Sequence, residues 1–381
     1  MNAVETLFLE QLRSLILGEP AEAEKIDTEI LSSLLTLSTR HSVTPLVAES
    51  LSRQGLLNDE GAAEVYRRIS YLAFIKWQQQ EGELARITAS FEENKIPNIP
   101  LKGSVLRCYY PEPWMRTSSD IDILVHEEDL VAAGKMLTEK LGYAKKVKTG
   151  HDVTFVNANN VAIELHYGFD EAEILAEKLW ETATHSCGSY QYSLLPEWFI
   201  FYHVAHMKKH FLIGGCGIRT LIDLYLILQN MSYDKELLNK FLLDKQLDKF
   251  FETISQLSID WIEGKRLTVI QSQVMQYIIR GGAYGTYDNR SAVWQSKRKK
   301  NSFQLLYARI FLSKEALGFI YPIIRRYPVL YPFCQILRWI RVLRIKEIKE
   351  VSNQIKQAKS LETEVLDETA DLLEYLGLSN K

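Results

Sequence analysis

Asp120 and Asp122 flank a single isoleucine in Ser118-Ser-Asp-Ile-Asp-Ile-Leu-Val125. Alternate side chains of an extended strand share a face. Both carboxylates therefore point one way, while Ile121, Ile123 and Val125 point into a core. Like charges this close repel unless a cation neutralises them, and a divalent cation is the usual partner. A third carboxylate follows in Val161-Ala-Ile-Glu-Leu-His166, where the same alternation sets Ala162, Glu164 and His166 opposite Val161, Ile163 and Leu165. Upstream, Lys102-Gly103-Ser104 offers what phosphates need. Glycine allows close backbone approach, a helix start presents free N–H groups, Ser104 adds a hydroxyl and Lys102 a point charge. Asp120, Asp122 and Glu164 are thus the expected catalytic residues and ligands of one or two Mg²⁺ ions. Such ions activate an attacking hydroxyl and neutralise a leaving pyrophosphate.

The flanking sequence predicts how these residues are held. Residues 96–101 read as a strand, and Gly103-Ser104 opens a helix that runs to about Tyr110 and stops before Pro111 and Pro113. The Asp120/Asp122 strand comes next. Glu127–Leu141 is an amphipathic helix ended by Gly142, and 152–157 with 160–166 reads as a hairpin around Asn157-Ala-Asn-Asn160. Before this core, helices are expected at 3–17, 28–38, 44–53 and 60–93, with His41 in a structural role. After it, Trp198–Phe211 is a helix with His203, His206 and His210 on one face. Further helices are expected at 219–228, 235–243, 247–263 and 267–279. Gly281-Gly-Ala-Tyr-Gly285 reads as a turn between helices, because it lacks the spacing of a phosphate-binding motif and no strand precedes it. The fold class is α+β: a small mixed β-sheet core flanked by all-helical regions. The expected boundaries are 1–93 helical, 94–190 core, 191–350 helical and 351–381 an acidic tail helix.

The 381 residues carry 45 Lys and Arg against 48 Asp and Glu, a net charge of −3, which is no polyelectrolyte signature for nucleic acid. Cys108, Cys187, Cys216 and Cys334 are scattered without a CxxC pair and read as reduced thiols. No secretory leader and no apolar run of membrane-spanning length is seen, so a cytoplasmic protein is expected. Lys297-Arg-Lys-Lys300 is a short basic run, and the basic segment 334–349 is open to two readings, a solvated helix face or contact with phosphates or an anionic membrane.

The order strand, Gly-Ser, helix, strand with Asp-x-Asp, later strand with Glu resembles the DNA polymerase beta-like nucleotidyltransferase superfamily. Within it, the chain is similar to the bacterial group of uncharacterised nucleotidyltransferases. The likeness is carried by Leu101-Lys-Gly-Ser104, Tyr110-Pro111, Arg116 ahead of Ser119-Asp-Ile-Asp122, Ile163-Glu-Leu-His166, His206-Met-Lys-Lys-His-Phe211, Gly215-Cys-Gly-Ile-Arg219 and Asp223. The resemblance implies a sheet that holds Mg²⁺ and a nucleoside triphosphate, such as ATP, beneath a helical domain. It implies transfer of a nucleoside monophosphate to an acceptor hydroxyl of a small molecule or protein, with release of pyrophosphate. Gly103, Ser104, Lys102, Arg116, Lys209 and His210 are the expected nucleotide-binding residues. The separation of Gly-Ser from Asp-x-Asp is longer than is usual in the superfamily, so the insertion holding Pro111, Pro113, Trp114 and Arg116 is expected beside the cleft.

Several roles stay open in the sequence. Arg116 suits a phosphate or a structural pair. Lys209 and His210 suit the triphosphate or a polar network within a helical bundle, with His206 or His210 as a base toward the acceptor. Arg219 and Asp223, four apart on a helix, suit an internal ion pair. Two competing functions remain. One is a catalytically silent nucleotide-binding scaffold of the same fold. The other is a transition-metal phosphohydrolase centred on His203, His206, His210 and Asp223.

Overall fold

The computed structural model describes residues 1–19, 26–169, 171, 174, 176–185, 187–298, 311, 317, 321, 323–344 and 363–379. They form two compact units: Met1–Phe211 with Gly215–Tyr284, and Leu212–Gly214 with Gly285–Lys381.

The first unit opens with α1 (Ala3–Leu17), α2 (Thr28–Arg40), α3 (Thr44–Arg53) and the long α4 (Glu60–Glu93). Asn2 and Glu5 form a capping box at α1, and the side chains of Asp27 and Asp59 cap α2 and α4. The chain then enters a five-stranded mixed sheet of order β1-β2-β5-β4-β3. Its strands are β1 (Asn98–Pro100), β2 (Asp120–Val125), β3 (Ala144–Lys148), β4 (Asp152–Val156) and β5 (Ala162–His166). β2 pairs parallel with β5, and the other neighbours are antiparallel. The expected hairpin is β4–β5. The parallel partner of β2 follows from where that hairpin folds back. β3 was not foreseen in the sequence: Ala-Lys-Lys-Val-Lys is exposed along its whole length, so it shows no one-sided apolar pattern. Its lysines suit an edge strand, because charge discourages further pairing.

Ile121, Ile123 and Val125 pack with Ile163, Leu165, Val153 and Phe155 in one core against Ile87 and Phe91 of α4 and Ala133, Met136 and Leu137. The helix expected at Glu127–Leu141 is shorter. It comprises α6 (Leu130–Lys135) followed by a π-helical turn, Met136–Lys140. Between β1 and β2 lie α5 (Gly103–Leu106) and two short 3₁₀ turns, Arg107–Tyr109 and Pro113–Met115. After β5 come α7 (Ala176–Thr182) and a small hairpin, β6 (Thr184–His185) with β7 (Tyr192–Ser193). The unit continues with α8 (Pro196–Leu212), α9 (Ile218–Asn230), α10 (Lys235–Asp244), α11 (Asp248–Ile262) and α12 (Val269–Gly281). Each agrees closely with the helical periodicity in the sequence. Ala283, within the expected turn of glycines, donates its N–H to Arg40 O at 3.0 Å. A side chain on Gly282 would meet Arg40 Cγ at 2.7 Å, so that turn is packed structure.

The second unit contains α13 (Tyr287–Arg298), α14 (Ile323–Arg326), α15 (Tyr331–Arg344) and α16 (Thr363–Tyr375). Within it α13 packs on α16, and Leu317, Ile324 and Cys334 form a small core. Residues 299–300 of the basic run, 345–349 of the basic segment and 351–362 of the acidic tail lie outside the described residues. All four cysteines are free thiols. No described helix is long and apolar enough to cross a membrane.

Candidate active site

Parallel pairing sets Asp122 directly beside Glu164, and Leu124 beside His166. One ligand atom from each of Asp122, Glu164 and His166 lies within 4.8 Å of the other two. His166 shares the face of Glu164 by simple alternation, which is the signal that would have found it in the sequence. Asp120 lies on the same face one pleat earlier. It belongs to no such group among the described residues, and its carboxylate accepts from Ser119 Oγ at 2.9 Å. Lys76 of α4 lies within electrostatic reach of Asp120. Nothing in the polar surface pattern of α4 singles that lysine out.

Asp122 is buried, 2 % exposed. Its Oδ1 accepts from Lys102 Nζ at 2.8 Å and pairs with His166 Nε2 at 2.8 Å. Burial alone would raise its pKa, but Lys102 and His166 together hold the carboxyl far below the usual range. Glu164 is opposite in sense. Burial, then the charges of Asp120 and Asp122, push it up to about 7. Asp120 is also raised, by burial first and by Asp122 second. The acidic face therefore pairs one permanently ionised carboxylate with one poised near neutrality.

Lys102 reaches Asp122 because the backbone brings it there. Leu101 N–H donates to Asp122 O at 3.0 Å, extending the β1–β2 pairing, and the next residue turns sharply with φ 44° and ψ −115°. That conformation is uncommon for a side-chain-bearing residue, and such strain concentrates at functional positions. Gly103 follows as the first residue of α5. Its Cα faces Arg116 and Ser118, and a Cβ there would meet Arg116 Nη1 at 2.8 Å. The glycine thus makes room for an arginine of its own chain. Ser104 N–H donates to Leu101 O at 3.2 Å. Ser104 also lines a cavity of about 500 Å³ with Tyr109, Tyr192, Phe199 and Asn230, whose lining carries no charged side chain.

The insertion divides. Trp114 lines a separate groove with Tyr66, Tyr71 and Phe74 whose lining includes none of the carboxylates, which corrects the expectation that the whole insertion borders the cleft. Arg116 is buried and binds Asp223 through two bonds, Nε–Oδ1 at 3.2 Å and Nη2–Oδ2 at 2.9 Å. Tyr110 Oη donates to the same Asp223 Oδ1 at 2.7 Å. Asp223 is therefore the partner of Arg116, not of Arg219, which instead donates to Thr117 O at 2.9 Å. A forked guanidinium matches a carboxylate better than the i,i+4 geometry on α9 does. Of the two roles open to Arg116, the structural pair is the one formed, and Nη1 props Gly103 from behind.

Helix α8 adds a wall. Tyr202 is buried, with its hydroxyl in hydrogen-bonding reach of Lys102. Phe169 bridges it to the sheet, with ring centroids 5.1 Å from Tyr202 and 5.9 Å from His166. One turn on, His206 Nδ1 pairs with the buried Glu171 carboxylate at 2.8 Å, and Lys209 Nζ lies 3.5 Å from the same oxygen. Burial pushes His206 down to about 3 against the pull of Glu171. His210 packs edge-on against His206 at 4.5 Å, and its buried Nδ1 has no hydrogen-bond partner among the described residues. Burial lowers its pKa too. Glu171 had no signal in the sequence, since only the fold places it against α8. His203 turns away and pairs with Thr220 O at 3.1 Å, and Asp223 is committed to Arg116 and Tyr110. The histidine-centred alternative does not assemble: His203, His206 and Asp223 are each committed to a separate partner, His210 packs on His206, and the four form no ligand group among the described residues.

A small mixed sheet with this acidic face, joined to helices, is a nucleotidyltransferase-type α+β core. The chain belongs to the uncharacterised nucleotidyltransferase family, whose profile matches residues 29–261. Among solved structures, one match is the solution structure of the antibiotic-resistance factor ANT(2'')-Ia. It is 14% identical, covers 45% of this chain and 92% of that chain, and has a TM-score of 0.36. No curated protein matches.

Proposed function

We propose that the protein transfers a nucleoside monophosphate from a nucleoside triphosphate to an acceptor hydroxyl, with release of pyrophosphate, on a Mg²⁺ site held by Asp122, Glu164 and Asp120. The observation that carries this reading is the register of β2 and β5, which sets the buried Asp122 carboxylate beside the half-buried Glu164 carboxylate, with His166 against them. The donor set fits a hard divalent cation: carboxylate oxygens dominate it, and His166 holds Asp122 in orientation. When bound, such an ion supplies charge neutralisation for the leaving group and lowers the pKa of a coordinated hydroxyl. Lys102, the Gly103-Ser104 turn, Lys209 and His210 are the groups proposed to meet the triphosphate. Arg116 acts from behind the turn. The uncharged cavity beside Ser104 favours a neutral organic group, in keeping with a small-molecule acceptor or the nucleobase.

The test is incubation with each α-labelled nucleoside triphosphate and Mg²⁺ in a cell extract, following label and pyrophosphate together. Wild type is expected to label one class of acceptor, and Asp122→Asn to label none. Nucleotide binding without pyrophosphate release from any acceptor would instead identify a silent scaffold.

A further inference from the structure

We infer that Lys102 holds the cation position of the acidic face until nucleotide arrives, so that the site takes its metal together with the triphosphate rather than as the free ion. This rests on the metal-assisted reading above. The ammonium of Lys102 sits 2.8 Å from Asp122 Oδ1, and the Asp122 side chain is only 3 % exposed. A divalent ion ligated through Asp122 Oδ1 must therefore separate this pair, whose carboxylate is buried and whose ammonium is half-buried. Breaking such a pair is costly unless the displaced charge finds another partner. A triphosphate is that partner. Lys102 stands at the first turn of α5, beside the Gly103-Ser104 backbone, with the Tyr202 hydroxyl as its neighbour from α8. The strained φ of 44° at Lys102 marks the position as held by its surroundings. Lys102 is thus a positioning residue that couples two ligands: it opposes the metal when alone and rewards the nucleotide when both are present. Coupling of this kind is reciprocal, so each ligand strengthens the other by the same factor.

Paramagnetic resonance of Mn²⁺, titrated with and without each of the four α,β-methylene nucleoside triphosphates and corrected for free chelate, tests this without turnover. Wild type is expected to bind Mn²⁺ weakly alone and at least about tenfold more tightly with the analogue it accepts. Lys102→Met should bind Mn²⁺ alone about tenfold more tightly than wild type and lose most of the coupling. Lys102→Arg should behave as wild type, because the charge remains. Lys102→Gly, which tolerates the left-handed backbone, guards against a folding defect in the Met variant and should match it. The inference is overturned if the Met and Gly variants neither tighten Mn²⁺ alone nor lose coupling. Asp122→Asn separates this failure from the larger one. If it leaves Mn²⁺ binding with nucleotide unchanged, the carboxylates are not the metal site and the proposed function falls as well.

Discussion

At the scale of single residues, the acidic face is defined by the contrast between Asp122 and Glu164. Asp122 is ionised under all ordinary conditions because Lys102 and His166 share its Oδ1. Asp122→Asn keeps the shape but removes the charge. It should abolish nucleotidyl transfer while leaving the half-buried Lys102 beside a neutral amide, at a stability cost of roughly 2 kcal/mol. Denaturant melts and pyrophosphate release measure the two effects separately. Glu164, by contrast, is pushed up to about 7 in the folded protein, above its ordinary value of 4.5. A raised carboxyl makes the folded state hold its proton more tightly than the unfolded chain does. The metal-free fold therefore loses stability as pH climbs from about 4.5 through 7, by on the order of 2–3 kcal/mol. Glu164→Gln, a mimic of the protonated acid, should leave the melting temperature unchanged near pH 4.5 and raise it by several degrees at pH 8. Equal melting of the two proteins at pH 8 would contradict the assignment.

At the scale of elements, α5 and its turn are held from two sides. β2 fixes Lys102 through the Leu101–Asp122 backbone bond, and Arg116 fills the space behind Gly103. Gly103→Ala would drive a methyl group into Arg116 Nη1, whose guanidinium cannot retreat without releasing Asp223. A loss of about 2 kcal/mol in chemical denaturation is expected, together with weaker nucleotide binding. Tyr110→Phe removes one bond to the same carboxylate and should cost about 1–2 kcal/mol, with nucleotide affinity little changed. This layer also marks how far the sequence could be read. Asp120, Asp122 and Glu164 were visible because strands have period two and apolar neighbours set the facing. The long helices were visible because their apolar spacing is regular. The Arg116–Asp223 fork joins residues on a loop and a distant helix, so no local spacing announces it, whereas Arg219 and Asp223 on one helix offer a false local pair. Glu171 and Lys76 were hidden for the same reason, and β3 was hidden because an exposed strand has no buried face to betray it.

At the scale of the whole molecule, the helices before the sheet are part of the unit that carries the site. α1 packs on α11, and the end of α2 is bolted to the helices that follow α8. The bolt is His41, fully buried. Its Nδ1 accepts from Ile218 N–H at 3.1 Å, and its Nε2 pairs with Ile279 O at 3.1 Å, which fixes the neutral tautomer with the proton on Nε2. Arg40 also donates to Ile279 O, at 2.7 Å, so that carbonyl keeps a partner if His41 is lost, but Ile218 N–H does not. His41→Ala should therefore cost roughly 3–4 kcal/mol, combining one orphaned buried donor with a cavity. Burial, and then Arg40, lower the imidazole to about 4 from an ordinary 6.5. A lowered histidine binds its proton more weakly when folded, so its stability is complete above about 6.5 and is lost as pH falls toward 4. The sign is opposite to that of Glu164 across an overlapping window, and the two contributions partly cancel in the wild type. Separation requires variants. His41→Asn, measured against wild type at steps from pH 7.5 to 4.5, should show a destabilisation that shrinks steadily as the pH is lowered, because the wild type loses what the variant never had. A constant difference across that range would mean that His41 titrates normally and that the bolt is looser than its two hydrogen bonds require.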